Sequence, residues 1–292
     1  MTDLFWEPLL ASARPGPGFV LLARQILFGT RLIVGGASVR PVEIEMYFHT
    51  TRHPDPFSHR QPIQRTQGRW YLHRMGTGLR SGSFKGVDLT FGYGDAHGGM
   101  LLRTVETSEG RLVEGPSLVV DHFLSLLQMP DIRVLDVALG ERLAWDADAP
   151  IRMEKAPFLQ GEEPLACARV GLSLRRFRWE GPAARFLILP YRFLREPARL
   201  RKGKVQMNLA LHIQGVDPAS IRATTGCTAA ALARQIEAFE LGWREGSFEP
   251  YWGRALDSLA LAHLHGVWQR TWGAPTDSSK EAGNGAPGEP AR

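Results

Sequence analysis

VEIEMY, residues 42–47, places two carboxylates two positions apart within an apolar run and follows them with a tyrosine. Alternate residues of a β-strand point to the same face of a sheet. A strand here therefore puts Glu43 and Glu45 on one side and the apolar residues between them on the other. Such a carboxylate is either a solvated residue at a sheet edge or an acid or base placed for chemistry. These six residues alone do not decide between the two interpretations.

The segments around VEIEMY predict both helix and antiparallel sheet. Upstream, residues 18–28 have apolar residues at helical spacing and are followed by a strand pattern that ends before Gly35-Gly36. Pro41 predicts an edge or a bulge near the start of the VEIEMY strand. Downstream, short strand-like runs separated by glycine-rich turns indicate an antiparallel meander. These runs are WYLHR at 70–74, FKGVDLTFG at 84–92 and GGMLLRTVE at 98–106.

The second half of the chain predicts helices around one further strand pair. A helix is expected after Gly115-Pro116, and RRFRWEG at 175–181 with ARFLILPYRFLR at 184–195 suggests two paired strands. Asp217-Pro218 resembles a helix start, and two later segments show helical spacing. We therefore predict a single α+β domain with a curved antiparallel sheet flanked by helices. Its expected bounds are residues 1–204, with a helical extension packed on it at 205–272 and a disordered tail at 273–292.

Composition narrows the class of protein. The chain has 292 residues, 43% of them hydrophobic, which suits a sizeable core. It has no run of about 18 apolar residues, so no membrane span is expected. MTDLFWEPLL lacks the basic region and cleavage site of a signal peptide. Only Cys167 and Cys227 are present, so neither a disulfide framework nor a zinc site is expected, and the expected location is the cytoplasm.

Two basic stretches interleaved with aromatic residues favour a phosphate-binding surface. The formal net charge is +5. Residues 60–85 contain six basic residues and no acidic one, and residues 175–204 contain ten basic residues and two acidic ones. Each stretch alone is equally well explained by a solvated face. Together with their aromatic neighbours they favour nucleic acid, because its binding grooves need fixed cations for the backbone and flat side chains for the bases.

VEIEMY resembles the V-E-T-E-A-Y motif of the alkyladenine (3-methyladenine) DNA glycosylases, the monofunctional enzymes of base-excision repair. Further segments resemble motifs of that family in the same order over roughly residues 20–200. They are LARQILFGTRLIV at 22–34, PFSHR at 56–60, GGMLLRTVETSEG at 98–110, EGPSLVVDHF at 114–123, and CARVGLS at 167–173 followed by ARFLILPYRFL at 184–194. The resemblance implies that residues 1–204 form a glycosylase-like catalytic domain, and it leaves the C-terminal helices outside.

The resemblance implies roles for four residues. Glu45 matches the glutamate that activates water, and Tyr47 matches the aromatic residue that stacks on the extruded base. His59 matches the histidine on the other side of the pocket, here with three extra residues between it and the tyrosine. Arg103 matches the arginine of the strand that binds the base and contacts DNA. One carboxylate near the anomeric carbon is chemically sufficient, since it orients water, takes its proton and stabilises the oxocarbenium-like transition state.

One segment departs from the family pattern. MGTGLRSGSFKGVDLTFG at 75–92 lacks the tyrosines that hold the base and wedge into the duplex, and only Phe84 is left to supply an aromatic wedge. The family's pocket asparagine has no clear counterpart. Gly92 is nearest by spacing, and Asp88 is nearest by chemistry and is the candidate for a second pocket acid. The resemblance therefore implies a changed substrate.

Each candidate also has a purely structural interpretation. Glu43 is better explained by a salt bridge or a surface position than by catalysis, and without the resemblance Glu45 is a surface residue. His59 lies in a proline-rich loop, where a surface histidine is usual. Arg103 also fits a plain phosphate contact, which carries no base information. A hydrogen-bonding role explains Asp88 equally well.

We therefore expect a monofunctional DNA glycosylase that flips a damaged or modified, most simply alkylated, base from double-stranded DNA. We expect it to act as a monomer without a cofactor or a metal, since His49, His53 and His59 fit no familiar metal-site spacing. Two alternatives stay open: a nucleic-acid-binding module without activity on the same scaffold, and an enzyme that hydrolyses a different glycosidic bond. The expected phosphate contacts are Arg69, Arg74, Arg80, Lys85 and Arg192.

Overall fold

The computed structural model of the chain describes residues 5–159, 161–177 and 183–273. Its strands are β1 (Thr30–Val34), β2 (Ala37–His49), β3 (Gln67–Leu72), β4 (Arg74–Met75), β5 (Gly78–Leu79), β6 (Val87–Phe91), β7 (His97–Glu106), β8 (Leu112–Glu114), β9 (Ile151–Lys155), β10 (Leu165–Cys167) and β11 (Arg192–Leu194). Its helices are α1 (Trp6–Ala11), α2 (Pro17–Phe28), α3 (Pro116–Leu126), α4 (Ile132–Leu139), α5 (Ala183–Leu187), α6 (Lys204–Ile213), α7 (Pro218–Thr225), α8 (Ala229–Glu245) and α9 (Ser258–Trp272). The predicted α+β class is confirmed.

The strand that contains VEIEMY lies in the middle of the main antiparallel sheet. The strand order is β10-β11-β2-β7-β6-β3, while β1 pairs with β2 and β9, and β8 pairs with β7. The predicted meander is confirmed, because its three runs form β3, β6 and β7. Glu43 and Glu45 are consequently central residues of the sheet, and the interpretation of either as a solvated edge residue is wrong.

The predicted irregularity at the start of β2 is a bulge. The pairing of β2 with β7 shifts register between Pro41 and Glu43 and again between Glu43 and Ile44. A bulge lets proline, which has no N–H to donate, lie inside a central strand. After the bulge, Ile44, Met46 and Phe48 join the main core together with residues of α2. The carboxylates of β2 therefore point to the opposite face of the sheet.

The prediction of a strand pair in the second basic stretch is wrong. Residues 183–187 form helix α5, and β11 pairs instead with β10 and β2. Residues 178–182 lie outside the described ranges. A short apolar run such as ARFLIL fits a buried helix as well as a buried strand, and periodicity alone does not separate the two. Here the side chains of α5 pack against Leu264 and Trp268 of α9, so tertiary contacts select the helix.

The C-terminal helices contact the sheet as well as each other. Met207 of α6 packs with Val42 and Leu194, and the indole N–H of Trp268 donates to the Arg185 carbonyl at 2.8 Å. The predicted start of α7 is confirmed, because the Asp217 carboxylate accepts hydrogen bonds from the backbone of Ala219 and Ser220. Of the tail predicted to be disordered, residues 274–292 lie outside the described ranges. Within those ranges, no helix is both long and apolar enough to cross a bilayer.

Buried His265 is expected to make the stability of the protein depend on pH. Burial lowers the pKa of His265 from its usual value to about 3, and the side chain is 3% exposed. Between about pH 6.5 and pH 3 the unfolded chain binds this proton while the folded chain does not, so stability falls as the pH drops. The slope approaches about 1.4 kcal/mol per pH unit for this one group.

We therefore expect His265→Leu to lower the pH dependence of the unfolding free energy. Urea unfolding of the native chain and of the variant at pH 7 and pH 5 measures this. The native chain should lose about 2 kcal/mol more than the variant over that interval. Equal losses in the two proteins would show that His265 does not remain neutral in the fold.

Candidate active site

Glu43 is the structural member of the carboxylate pair. It accepts hydrogen bonds from Arg103 Nε at 2.9 Å, Arg192 Nε at 2.7 Å and Thr104 Oγ1 at 2.6 Å. Burial alone raises the pKa of Glu43, but the two guanidinium groups outweigh it, so the pKa lies below its usual value. Glu43 is thus a buried anion whose oxygens are used by fixed donors, as its salt-bridge interpretation predicts.

Glu45 is also fully buried, but its surroundings differ. Its Oε1 accepts the backbone N–H of Val170 at 2.7 Å, and its Oε2 accepts the Tyr47 hydroxyl at 2.8 Å and Arg103 Nη1 at 3.3 Å. A carboxylate oxygen has about two lone-pair sites, so Oε1 retains one acceptor site. The same Arg103 nitrogen also donates to the Val170 carbonyl at 3.3 Å. A carboxylate, a guanidinium and a carbonyl therefore converge at Val170.

Tyr47 connects this cluster to a cavity. Burial and the nearby Glu45 charge hold the pKa of Tyr47 well above its usual value, so the hydroxyl keeps its proton and donates to Glu45. The Arg169 guanidinium lies over the Tyr47 ring, 4.6 Å from its centroid. Arg169 is itself fixed by Asp55 at 2.7 Å, and both side chains are 0% exposed. The tyrosine is consequently held in one orientation in the wall of the cavity.

The cavity has a volume of about 210 Å³. One water needs only roughly 10–15 Å³ on a comparable measure, so the cavity accepts a small organic molecule. Apolar and aromatic groups form one part of its wall, and hydrogen-bonding side chains form another. The lining residues are Tyr47, Phe57, His59, Gln64, His73, Arg80, Asp88, Val170, Gly171 and Leu172. A planar heterocycle with a polar edge matches that division.

The polar part of the wall is a hydrogen-bonded set around Asp88. Asp88 is 2% exposed, and its Oδ1 lies 2.7 Å from His73 Nε2. Its Oδ2 accepts from the Gln64 amide at 3.4 Å. His59 lies beside His73, with ring centroids 4.4 Å apart, and its Nδ1 is 3.1 Å from the Tyr71 hydroxyl. Burial and the neighbouring His73 lower the pKa of His59 to about 4, so His59 is neutral near pH 7.

The predicted pocket residues do not all line the cavity. Tyr47, His59 and Asp88 line it, while Glu45 and Arg103 lie directly behind Tyr47 and Val170. Arg103 was predicted to face the base or the DNA. Its guanidinium group instead contacts both carboxylates of β2, Glu43 and Glu45. Phe84 is 69% exposed in a short 3-10 helix at 82–84 and does not line the cavity. Its role as a wedge stays a prediction.

The predicted phosphate contacts fall into three groups. Arg192 is 0% exposed and bound to Glu43 and the Lys202 carbonyl, so the prediction that it contacts DNA is wrong. Arg192 lies opposite Glu45 on the neighbouring strand, so its side chain shares the buried face of the sheet with the two glutamates, whose charges it balances. Arg80 lines the cavity. The other three are tied to acidic partners: Arg69 lies near Glu141, Arg74 binds Asp136, and Lys85 pairs with Asp121.

Sequence reasoning missed four residues of this site. Val170 and Arg169 lie in the CARVGLS segment, whose resemblance to the family implies no role for either. Gln64 and His73 lie in segments interpreted as a loop and a strand. No local pattern marks His73 as a partner of Asp88; only the pairing of β3 with β6 brings them together.

The described part of the chain contains no group of three or more histidine, cysteine or acidic side chains placed to hold a metal ion. No model of a known protein family matches the chain, and no curated protein matches it either.

Proposed function

We propose that this protein is a monofunctional DNA glycosylase that hydrolyses the N-glycosidic bond of a flipped, damaged or modified base. The observation that carries the proposal is the fixed Glu45–Tyr47–Arg103–Val170 cluster behind a cavity suited to a planar heterocycle. A carboxylate this deeply buried is unfavourable unless it is paired or needed for chemistry. Arg103 and Arg192 share Glu43, so Glu45 also balances the charge of the second guanidinium group; what a structural role leaves unused is the remaining acceptor site on Glu45 Oε1.

The proposed reaction uses few protein groups. A water bound at the remaining acceptor site of Glu45 Oε1 and at the Val170 carbonyl attacks C1′ of the sugar, and Glu45 takes its proton. The negative charge of Glu45 stabilises the oxocarbenium-like transition state, while Tyr47 stacks on the departing base. No lysine lines the described cavity, so a covalent imine with the sugar forms no part of the mechanism.

Exposed arginines beside the cavity support DNA as the polymer. The segment 170–172 lines the cavity, and Arg175 and Arg176 follow it, are exposed and have no ion-pair partner among the described side chains. Phe177 then packs edge to face on Phe57, at a centroid distance of 5.1 Å, and so returns the segment to the cavity wall. Exposed cations on a segment that leaves and rejoins the wall of a base pocket are suited to the phosphates that flank an extruded nucleotide.

We expect Arg175→Gln together with Arg176→Gln to weaken binding to DNA and to flatten its dependence on salt. Each phosphate contact that is lost lowers the slope of log K against log salt by about 0.9. Fluorescence anisotropy with a labelled duplex at several salt concentrations measures the slope. Arg133→Gln is the matched control, because Arg133 is exposed but lies on α4 and pairs with Asp131. A slope unchanged in the double variant would remove this surface from the DNA interface.

The test of the proposed function is release of a base. The protein is incubated with duplexes that carry one alkylated, deaminated or bulky-adduct base, and abasic sites are scored by alkaline strand cleavage. Abasic sites in at least one duplex, and none in the unmodified duplex, support the proposal. Tight binding without abasic sites in any duplex would instead favour the binding module without activity.

A further inference from the structure

A second cavity lies between the sheet and the C-terminal helices. Its volume is about 260 Å³, and it shares no described lining residue with the cavity beside Tyr47. Residues of β10, of the segment after α5, and of helices α6 and α9 form its wall. A molecule in this cavity would therefore contact both the sheet and the helical extension.

Helical spacing determines which side chains reach this cavity. Gln206 and Ala210 are four positions apart on α6 and both line it. His265, Trp268 and Trp272 follow one another at spacings of three and four on α9 and also line it. Residues three and four apart share one face of a helix. The cavity is thus enclosed by one face of each helix.

His265 is a buried polar side chain in this wall that lacks a partner. It is 3% exposed, and its Nε2 is fully buried without a hydrogen bond to any described residue. Burial lowers its pKa to about 3, so the ring is neutral near pH 7 and has one donor and one acceptor nitrogen. A buried polar group without a partner is unfavourable. Because the ring is part of the cavity wall, a molecule in the cavity can supply the partner, and a hydroxyl group can both donate and accept.

The rest of the wall is uncharged and largely apolar. None of its described lining residues is an aspartate, glutamate, lysine or arginine. Burial raises the pKa of the Cys167 thiol to about 11, so this group also stays neutral. The indole N–H of Trp268 is already used by the Arg185 carbonyl, and its ring centroid lies 6.1 Å from that of Trp272. Such a wall favours a neutral aromatic molecule over an anion.

The volume of the cavity sets the size of the molecule. An apolar cavity of roughly 150 Å³ binds benzene, whereas one water needs only roughly 10–15 Å³. A cavity of about 260 Å³ therefore fits two fused rings. A single water could pair with His265, but it would leave most of the space beside the apolar wall unfilled.

We infer that this cavity binds a neutral, two-ring aromatic molecule that carries a hydroxyl group. The hydroxyl group pairs with His265, and the rings pack against Trp268 and Trp272. This site goes beyond the proposed hydrolysis and does not depend on it. Because the molecule contacts β10, α6 and α9 together, its binding stabilises the packing of the helical extension on the sheet.

The experiment uses 2-naphthol as the probe, with naphthalene and 2-naphthoate beside it. Isothermal titration calorimetry of the full chain at pH 7 gives the affinity and the stoichiometry for each. We expect 2-naphthol and naphthalene to bind at one molecule per chain. We expect 2-naphthoate to bind at least about tenfold more weakly than 2-naphthol, because no cation of the wall compensates the loss of its hydration.

Two variants locate the binding. His265→Leu should weaken binding of 2-naphthol about five- to tenfold relative to naphthalene, since only the hydroxyl group loses a partner. Ala210→Phe fills the cavity and should abolish binding of both. Ala230→Phe is its matched control, because Ala230 is an exposed alanine of α8 that does not line the cavity. Circular dichroism checks that each variant is folded.

The other outcomes each overturn a claim. Absence of binding by the native chain, or undiminished binding by a folded Ala210→Phe, would overturn the site itself. An unchanged ratio of the two affinities in His265→Leu would overturn the pairing with His265, and 2-naphthoate binding as tightly as 2-naphthol would overturn the preference for a neutral molecule. The comparison of probes on the native chain decides the first and last of these claims even where a variant does not fold. Since none of these measurements uses DNA, failure here is distinct from failure of the proposed function.

Discussion

Glu45→Gln is expected to lower the single-turnover rate of base release by about 10³-fold or more while leaving DNA affinity within a few-fold of the native value. The amide has nearly the same shape and still accepts the Val170 N–H at 2.7 Å through its oxygen. It neither takes a proton from water nor carries the negative charge that stabilises the transition state. Proton transfer and electrostatic stabilisation are each typically worth about 10²-fold or more.

The matched control for this substitution is Glu154→Gln. Glu154 lies on β9, pairs with Arg31 and Arg152, and does not line the cavity. We expect its release rate to equal that of the native chain. Rapid mixing at protein excess, with free base separated by chromatography, gives both rates. Unchanged release by Glu45→Gln would remove Glu45 from the mechanism.

Arg169→Met is expected to lower the unfolding free energy by about 3–5 kcal/mol, because it leaves the Asp55 carboxylate buried and unpaired. Arg169 also donates to the carbonyls of Met46 and Phe186 at 3.2 and 3.0 Å, so three chain segments lose a shared donor. Denaturant unfolding followed by circular dichroism measures the change. Arg142→Met, which breaks an exposed pair with Asp148, should change the stability little.

A double variant separates charge burial from lost packing. Adding Asp55→Asn to Arg169→Met removes the uncompensated carboxylate, so the double variant should be more stable than Arg169→Met alone. Further destabilisation by the second substitution would mean that the Asp55 charge stabilises the fold independently of Arg169.

The regular parts of the fold were predictable because local pattern and tertiary contact agree there. The helix at α2, the bulge at Pro41 and the meander of β3, β6 and β7 follow from periodicity, proline chemistry and glycine turns. The sequence predicts a strand where helix α5 lies, because the short apolar run has no distinguishing period and its partners on α9 are about 80 residues away in the chain.

The site was predictable only where a motif is contiguous. VEIEMY indicated Glu45 and Tyr47, but the chemistry of a basic residue depends on what it contacts. Arg192 lies in a basic stretch, yet it forms a buried ion pair with Glu43, because its strand pairs with the strand that carries the carboxylates. His73 and Asp88 meet only through sheet register, which no single-chain pattern specifies.

The most direct test of the central claim is the identity of the products. A duplex with one modified base is incubated with excess protein in the presence of borohydride, which would trap a covalent imine. The masses of all products are then measured by mass spectrometry. Hydrolysis by a Glu45-activated water predicts the intact free base and an uncut abasic strand, with no protein attached to DNA. A trapped protein–DNA adduct, or a fully intact duplex for every base in the panel, would contradict it.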